Sequence, residues 1–304
     1  QQRVDPQTEK KYSNLWVVST EGGEPRRFTN GDQNDVNPKW SPDGSEIAFL
    51  SNRDNEKQPQ LYLIPFQGGE ARCLTEMKGQ WKEFSWSPDG AHILAQFRAK
   101  DPEAIEREED EAKKKLGVVE RHYDRVFYKF DGVGFLPHQR WHLWSVNAES
   151  GETQQLTGGD VFDEREPSWS PDGEKIVFVS NHNPDPDLEY DDDDLFMIPF
   201  EPGRDEPLQA EQMHKVETHP GPKQWPVFSP DGKSIAYFGQ DGRGEWWKNV
   251  DLWVAPVDDD SKQVRNLTAE IDFSIEYCTL NDLNAGGGVL SPPTWSSDGE
   301  RLTF

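Results

Sequence analysis

Five times along this 304-residue chain an aromatic residue is followed by the same turn. The copies are Trp40-Ser41-Pro42-Asp43-Gly44, Trp86-Ser87-Pro88-Asp89-Gly90, Trp169-Ser170-Pro171-Asp172-Gly173 and Phe228-Ser229-Pro230-Asp231-Gly232, with a degenerate Trp295-Ser296-Ser297-Asp298-Gly299. Proline sets φ for the first corner, Asp bonds nearby backbone, and Gly takes the positive φ that closes a tight hairpin. One strand must therefore end at each aromatic and another begin just past each glycine. The glycines stand 46, 83, 59 and 67 residues apart, so the shortest spacing is the bare unit and the others carry insertions.

The segments between the turns repeat as well. Apolar second strands follow at Ile47–Leu50, Ile93–Phe97, Ile176–Val179, Ile235–Phe238 and Leu302–Phe304. Third strands read Leu15–Val18, Leu61–Ile64, Leu143–Val146, Leu195–Ile198 and Leu252–Ala255. A Gly- or Asp-containing turn then leads to a short polar strand ending in Thr, as at Thr29, Thr75, Thr157 and Thr268. Four short strands in a unit of about 45 residues are the signature of a β-propeller blade. The expected fold is all-β: a half-blade over 1–31, blades over 32–76, 77–159, 160–210 and 211–268, and a half-blade over 269–304. The second blade carries an insertion at 98–140. The chain enters at a third strand and leaves within a second, so the two halves either close one composite blade or belong to a longer propeller. Opening on Gln1 rather than Met, the chain is expected to be a segment of the longer form.

The TrpSerProAspGly repeat, with its LeuTrpVal and LeuThr half-blade, resembles the propeller repeats of TolB and of the prolyl oligopeptidase superfamily. Tyr128-Lys129-Phe130-Asp131-Gly132-Val133-Gly134-Phe135, leading into Trp141-His142-Leu143-Trp144, is similar to the acylaminoacyl-peptidase branch. The resemblance implies a C-terminal α/β-hydrolase domain with a Ser-Asp-His triad as the propeller's partner, and a peptide as substrate. No GlyXSerXGly nucleophile elbow occurs in these residues, so no catalytic residue is carried over. The expected role is that of a substrate-gating propeller in a serine peptidase acting on short or acylated peptides. One alternative is a TolB-like propeller that binds proteins without chemistry. Another is an enzyme such as a polysaccharide lyase, with its site among the blade loops and a paired set of metal-binding histidines.

Composition narrows the partners. Lys and Arg number 32 against 57 Asp and Glu, a net charge of −25, which excludes binding driven by neutralising a nucleic-acid backbone. No run approaches the about 18 apolar residues of a membrane-spanning helix, and a cytoplasmic location is expected. Cys73 and Cys278 lie in no CxxC or Cys/His metal spacing and read as two reduced thiols. No cofactor motif is present. The acidic stretch Asp185, Asp187, Glu189 and Asp191 to Asp194 lacks the pattern of a calcium loop and reads as a solvated connection. His138 and His142, four apart, lack the intervening Glu of a zincin, and Pro137 argues against a helix there.

The insertion carries the candidate site. It is expected to open with one helix, with Asp101 at the N-cap, Pro102 at N1, Lys113 to Lys115 in the last turn and Gly117 at C′. Glu109–Lys113, Asp110–Lys114 and Glu111–Lys115 would form i,i+4 pairs. The period then changes to two, placing Arg121, Tyr123, Arg125, Phe127 and Lys129 on one strand face. Three cations interleaved with two aromatics suit a peptide substrate, the arginines and lysine meeting carboxylates and the rings packing beside side chains. Neutralisation of neighbouring Asp and Glu is the structural alternative for the cations. The insertion is expected on the propeller face turned toward the hydrolase domain.

Overall fold

A computed structural model describes residues 1–131, 133–245, 247–257, 263–275 and 291–304. Cys278 lies outside the described residues. Four four-stranded sheets, each with its strands paired in chain order, dominate the fold. They are Asp35–Trp40, Glu46–Ser51, Gln60–Pro65 and Arg72–Cys73; Gly79–Trp86, His92–Ala99, His142–Asn147 and Thr153–Gln155; Arg165–Trp169, Lys175–Ser180, Asp194–Pro199 and His214–Lys215; and Lys223–Phe228, Ser234–Gly239, Asp251–Pro256 and Arg265–Asn266. Two-stranded pairs precede and follow them, Trp16–Val17 with Arg26–Arg27 and Thr294–Trp295 with Leu302–Thr303. This is the all-β propeller architecture.

The repeated turn has the same construction at all five copies. The Ser hydroxyl donates to the Asp carboxylate at 2.5–2.6 Å. The same carboxylate accepts the N–H two residues beyond it at 3.0–3.1 Å. The Ser oxygen in turn accepts the N–H that opens the next strand, at 2.8–3.0 Å. The closing glycines sit at φ between 69° and 75°, a region costly to a residue with a Cβ. The Thr ending the fourth strand has an equally definite task. The Oγ1 atoms of Thr29, Thr75, Thr157 and Thr268 accept the N–H of Leu15, Leu61, Leu143 and Leu252 at 2.9–3.1 Å. In the third sheet Val216-Glu217 replaces Leu-Thr, with Val216 N–H donating to Leu195 O. That loss of the marker hid the fourth strand, which the structure places at His214–Lys215, beyond residue 210.

The chain divides into two compact units, Gln1–Ala99 with Ser145–Thr153, and Lys100–Trp144 with Gln154–Phe304. In the first unit Ala48, Leu50, Leu61 and Leu63 share a core with Phe84, Ile93, Ala95 and Val146. From the other face of the same sheet, Ile47, Phe49, Tyr62 and Ile64 pack with Leu15. Sheets covered on both faces require continuous apolar strands rather than alternating ones, which is why the second and third strands read as unbroken runs. The second unit repeats this: Val177, Val179, Leu195 and Met197 cluster with Ile235, Tyr237 and Trp253, while Ala236, Phe238 and Leu252 pack on Trp295 and Leu302. Each fully buried Val, Leu, Ile, Phe or Met side chain among these stabilises by roughly 1.5–3 kcal/mol. The turn tryptophans tie neighbouring sheets together, Trp86 Nε1 donating to Lys39 O at 3.1 Å and Trp295 Nε1 to Val227 O at 3.4 Å.

One hairpin was not foreseen. Within the span 1–31 expected for the first half-blade, Gln2–Val4 pairs with Lys11–Ser13 ahead of the Trp16–Val17 strand, in a segment too polar and short to show a period.

Candidate functional site

Within the second unit, three connections leave a second strand or lead to a third: the insertion 100–141, the acidic loop 181–193 and the loop 240–250. The insertion opens as expected, with Asp101 Oδ1 accepting from Glu103 N at 2.7 Å and Ala104 N at 3.1 Å, and Pro102 first in the helix. The single expected helix is, however, two: Pro102–Glu109 and Glu111–Leu116. Asp110 breaks it by taking an extended conformation and capping Ala112 and Lys113, because a short Asp side chain competes for backbone N–H groups. Around the break Lys113 pairs with Glu106, Lys114 with Glu111 and Lys100 with Glu108.

The strand expected over 121–129 is also corrected. Only Lys129–Phe130 is strand there, in a short hairpin with Gly134–Phe135, so the five residues do not share a strand face. They form two groups. Arg121 lies over the Phe135 ring at 4.3 Å and Lys129 Nζ at 5.4 Å, while Tyr123 stacks on Phe135 at 5.9 Å and meets Tyr128 at a tilt at 4.7 Å. Arg125 instead grips Asp187 with two bonds, Nε at 3.0 Å and Nη2 at 2.6 Å. Phe127 joins it, its N–H donating to Asp187 at 2.9 Å and its ring meeting Tyr190 edge-on. Burial works against ionised Asp187, but Arg125 and the Phe127 N–H outweigh it and hold the carboxyl below its usual range.

The acidic stretch is therefore not a merely solvated loop. Asp187, Asp192 and Asp193 are buried, and each meets an arginine: Arg125, Arg243 at 2.8 Å and Arg165 at 2.5 Å. Asp194 receives Lys223 at 2.9 Å and also Lys215. The Lys223 side chain is wholly buried, and that burial lowers its pKa against the pull of Asp194. Runs of like charge predict exposure only until tertiary partners are known. The usable signal was a cation, Arg165 or Lys223, opening the first strand of its sheet.

Beside the Arg125–Asp187 pair lies a cleft of about 400 Å³, lined by Asp124, His138, Arg140, Asp160 and Asp185 among others. Arg140, unmarked in the sequence, donates from Nε to Asp160 O at 2.9 Å and approaches Asp163 at 3.6 Å. Burial, then the neighbouring Arg125, lowers its pKa. His138 faces Asp124 at 3.4 Å. His142 is elsewhere engaged: its Nδ1 meets Glu164 at 2.7 Å and its Nε2 meets Gly159 O at 3.0 Å. Burial raises the Glu164 pKa, opposed by His142. Four aspartates against two arginines make the cleft acidic on balance.

Residues 5–122 match the model of the TolB beta propeller domain family. The chain is 30% identical over 179 residues to the uncharacterized peptidase YuxL of Bacillus subtilis, covering 59% of this chain and 27% of that protein. It is 30% identical over 260 residues to dipeptidyl-peptidase 5 of Porphyromonas gingivalis, covering 79% and 35%. It thus spans about a third or less of these relatives' length. Among solved structures, Pyrococcus horikoshii acylaminoacyl peptidase shares the fold at TM-score 0.65 and 18% identity, over 90% of this chain and 38% of that one. With its repeated turn and double-faced sheets, the chain is a TolB-like β-propeller, similar in sequence to part of two proteins named as peptidases.

Proposed function

We propose that this chain is the substrate-gating propeller of a serine peptidase acting on short or acylated peptides, as in the acylaminoacyl-peptidase branch, with its nucleophile in an α/β-hydrolase domain outside residues 1–304. The observation that carries this is the match to a dipeptidyl-peptidase over 79% of the chain but only 35% of that relative, which leaves ample length there for a catalytic domain. The propeller contributes access and side contacts. Arg121, Tyr123 and Lys129, gathered on Phe135, form one exposed contact surface, and Arg125 with Phe127 anchors the second through Asp187. Because Arg125 is already occupied, Arg121 and Lys129 are the cations left to meet a peptide carboxylate.

The test uses the whole protein encoded by the gene, assayed with short acyl-peptides carrying either a free carboxylate or an amide. Arg121→Ala should raise KM for the carboxylate form several-fold more than for the amide, with kcat little changed. A whole protein that turns over neither substrate would discard the peptidase reading. The match to the TolB domain model over 5–122 favours a second reading, a propeller that binds protein partners without chemistry. Absence of a GlyXSerXGly segment in the remainder of the coding sequence would select it.

A further inference from the structure

The first unit holds a cleft of about 450 Å³ between the unforeseen N-terminal hairpin, which contributes Lys10, Lys11 and Tyr12, and the loop bearing Asn52, Arg53 and Glu56. Its central feature is Arg53. The Nη2 of Arg53 donates to Asp35 at 3.0 Å and its Nε to Ser51 Oγ at 3.0 Å. The Asp35 side chain is wholly buried, and Ser51 Oγ donates to it at 2.6 Å. The guanidinium also lies over the rings of Tyr62 at 4.8 Å and Phe49 at 5.2 Å. One edge of the fork is thus locked from behind and one face is stacked, while Nη1 makes no hydrogen bond to the described residues. An arginine held this way has already lost the freedom that binding would otherwise cost.

The charges around it do not cancel. Lys10 is paired with Glu56 at 2.7 Å, and Asp32 with Arg3. Arg53 is balanced by Asp35, whereas Lys11 has no ion-pair partner among the described residues, so Lys11 leaves a local excess of one positive charge in a chain of net charge −25. The wall is fixed by Asn52, whose Oδ1 accepts Asn34 N–H at 2.7 Å and whose Nδ2 donates to Glu56 O at 3.2 Å. We propose that this cleft is a binding site for a monoanionic carboxylate, with Arg53 as the fork and Lys11 as the second cation. Arginine presents planar donors matched to a carboxylate. A phosphate carries about −1.5 to −2 charge at neutral pH, and Glu56 and Asp32 in the same lining oppose that larger charge. The site is independent of the peptidase reading, since it involves neither the insertion nor turnover.

The test is direct binding to the 304-residue chain, followed by calorimetry and by NMR of the Asn52 and Asn34 amides. The probes are N-acetyl-Ala-Ala with its free C-terminal carboxylate, the corresponding amide, N-acetyl-Asp-amide with a side-chain carboxylate, and inorganic phosphate. At least one carboxylate probe should bind saturably and shift those amides, and which one does tells a C-terminus from an acidic side chain. The neutral amide should not bind. Lys11→Gln, an exposed change that leaves the fold intact, should weaken binding roughly fivefold, and Arg53→Lys, which keeps the charge but loses the fork, about tenfold or more. Absence of saturable binding by either carboxylate, equal binding of the amide, tighter binding of phosphate, or unchanged affinity in Lys11→Gln would each overturn the proposal.

Discussion

A histidine enclosed between two phenyl rings gains little from a proton. His182 lies between Phe162, with ring centroids at 4.5 Å, and Phe196 at 3.9 Å, and burial lowers its pKa to about 4. His219 is lowered for the same reason, packed on Trp253 at 3.9 Å and on Tyr237 at 5.6 Å. A base whose folded pKa lies below its unfolded value near 6.5 supports the fold fully above that value. The support is lost as pH falls from about 6.5 through 4. Urea unfolding at pH 7 and pH 4.5 should differ by about 2 kcal/mol on account of His182. His182→Phe keeps the stack and should remove most of that difference; an unchanged difference would mean that the ring titrates normally. Neither histidine stood out in the sequence, because an aromatic sandwich is assembled from residues far apart in the chain. Gly239 is similar, since a Cβ there would meet His219 Nε2 at 2.8 Å and Pro222 O at 2.9 Å, a requirement no local pattern reveals.

Elements divide into those whose hydrogen bonds are local and those held from a distance. The turn copies are self-contained, each satisfying its Ser, Asp and opening N–H within six residues, and each was legible. Their aspartates are held below the usual carboxylate range by the Ser hydroxyl and the backbone N–H, Asp43 at about 2. The contribution of these groups is present above about pH 4 and fades as pH falls through their folded values. The segment 117–135 is the opposite case. Among its described residues it has little regular structure, and it is fastened through Asp187, which takes Arg125 and the Phe127 N–H, while the Phe127 ring meets Tyr190. Asp187→Ala should therefore raise the rate of proteolytic cleavage within 117–135 by roughly tenfold, while the melting midpoint falls by only a few degrees, as local opening is cheaper than global unfolding. A cleavage rate equal to that of the parent would show that the aromatic contacts alone hold the segment.

At the scale of the whole molecule the dominant physical fact is the charge of −25. Self-repulsion of that size destabilises a compact state and is screened by salt within about 10 Å at 0.1 M. Raising sodium chloride from about 0.05 to 0.5 M should increase the melting midpoint by a few degrees, measured by scanning calorimetry. A midpoint that falls instead would show that the ion pairs of Asp187, Asp192, Asp193 and Asp194 outweigh the repulsion. Both units bury their sheets on two faces, so the apolar core is sufficient to tolerate that charge.

The sequence alone determined the propeller, because each turn and each Leu-Thr strand end closes its own hydrogen bonds, and because double-faced burial imposes an unbroken apolar run on every second and third strand. The family followed from the same repeats. Tertiary structure decided where charge goes. Whether Asp192 is solvated or buried against Arg243, whether Arg125 is free or spent on Asp187, and whether Arg53 is a surface cation or a fork braced by Asp35 all depend on partners distant in sequence or on burial. Electrostatic energy is set by distance and desolvation in space, and neither has a period that a sequence can display.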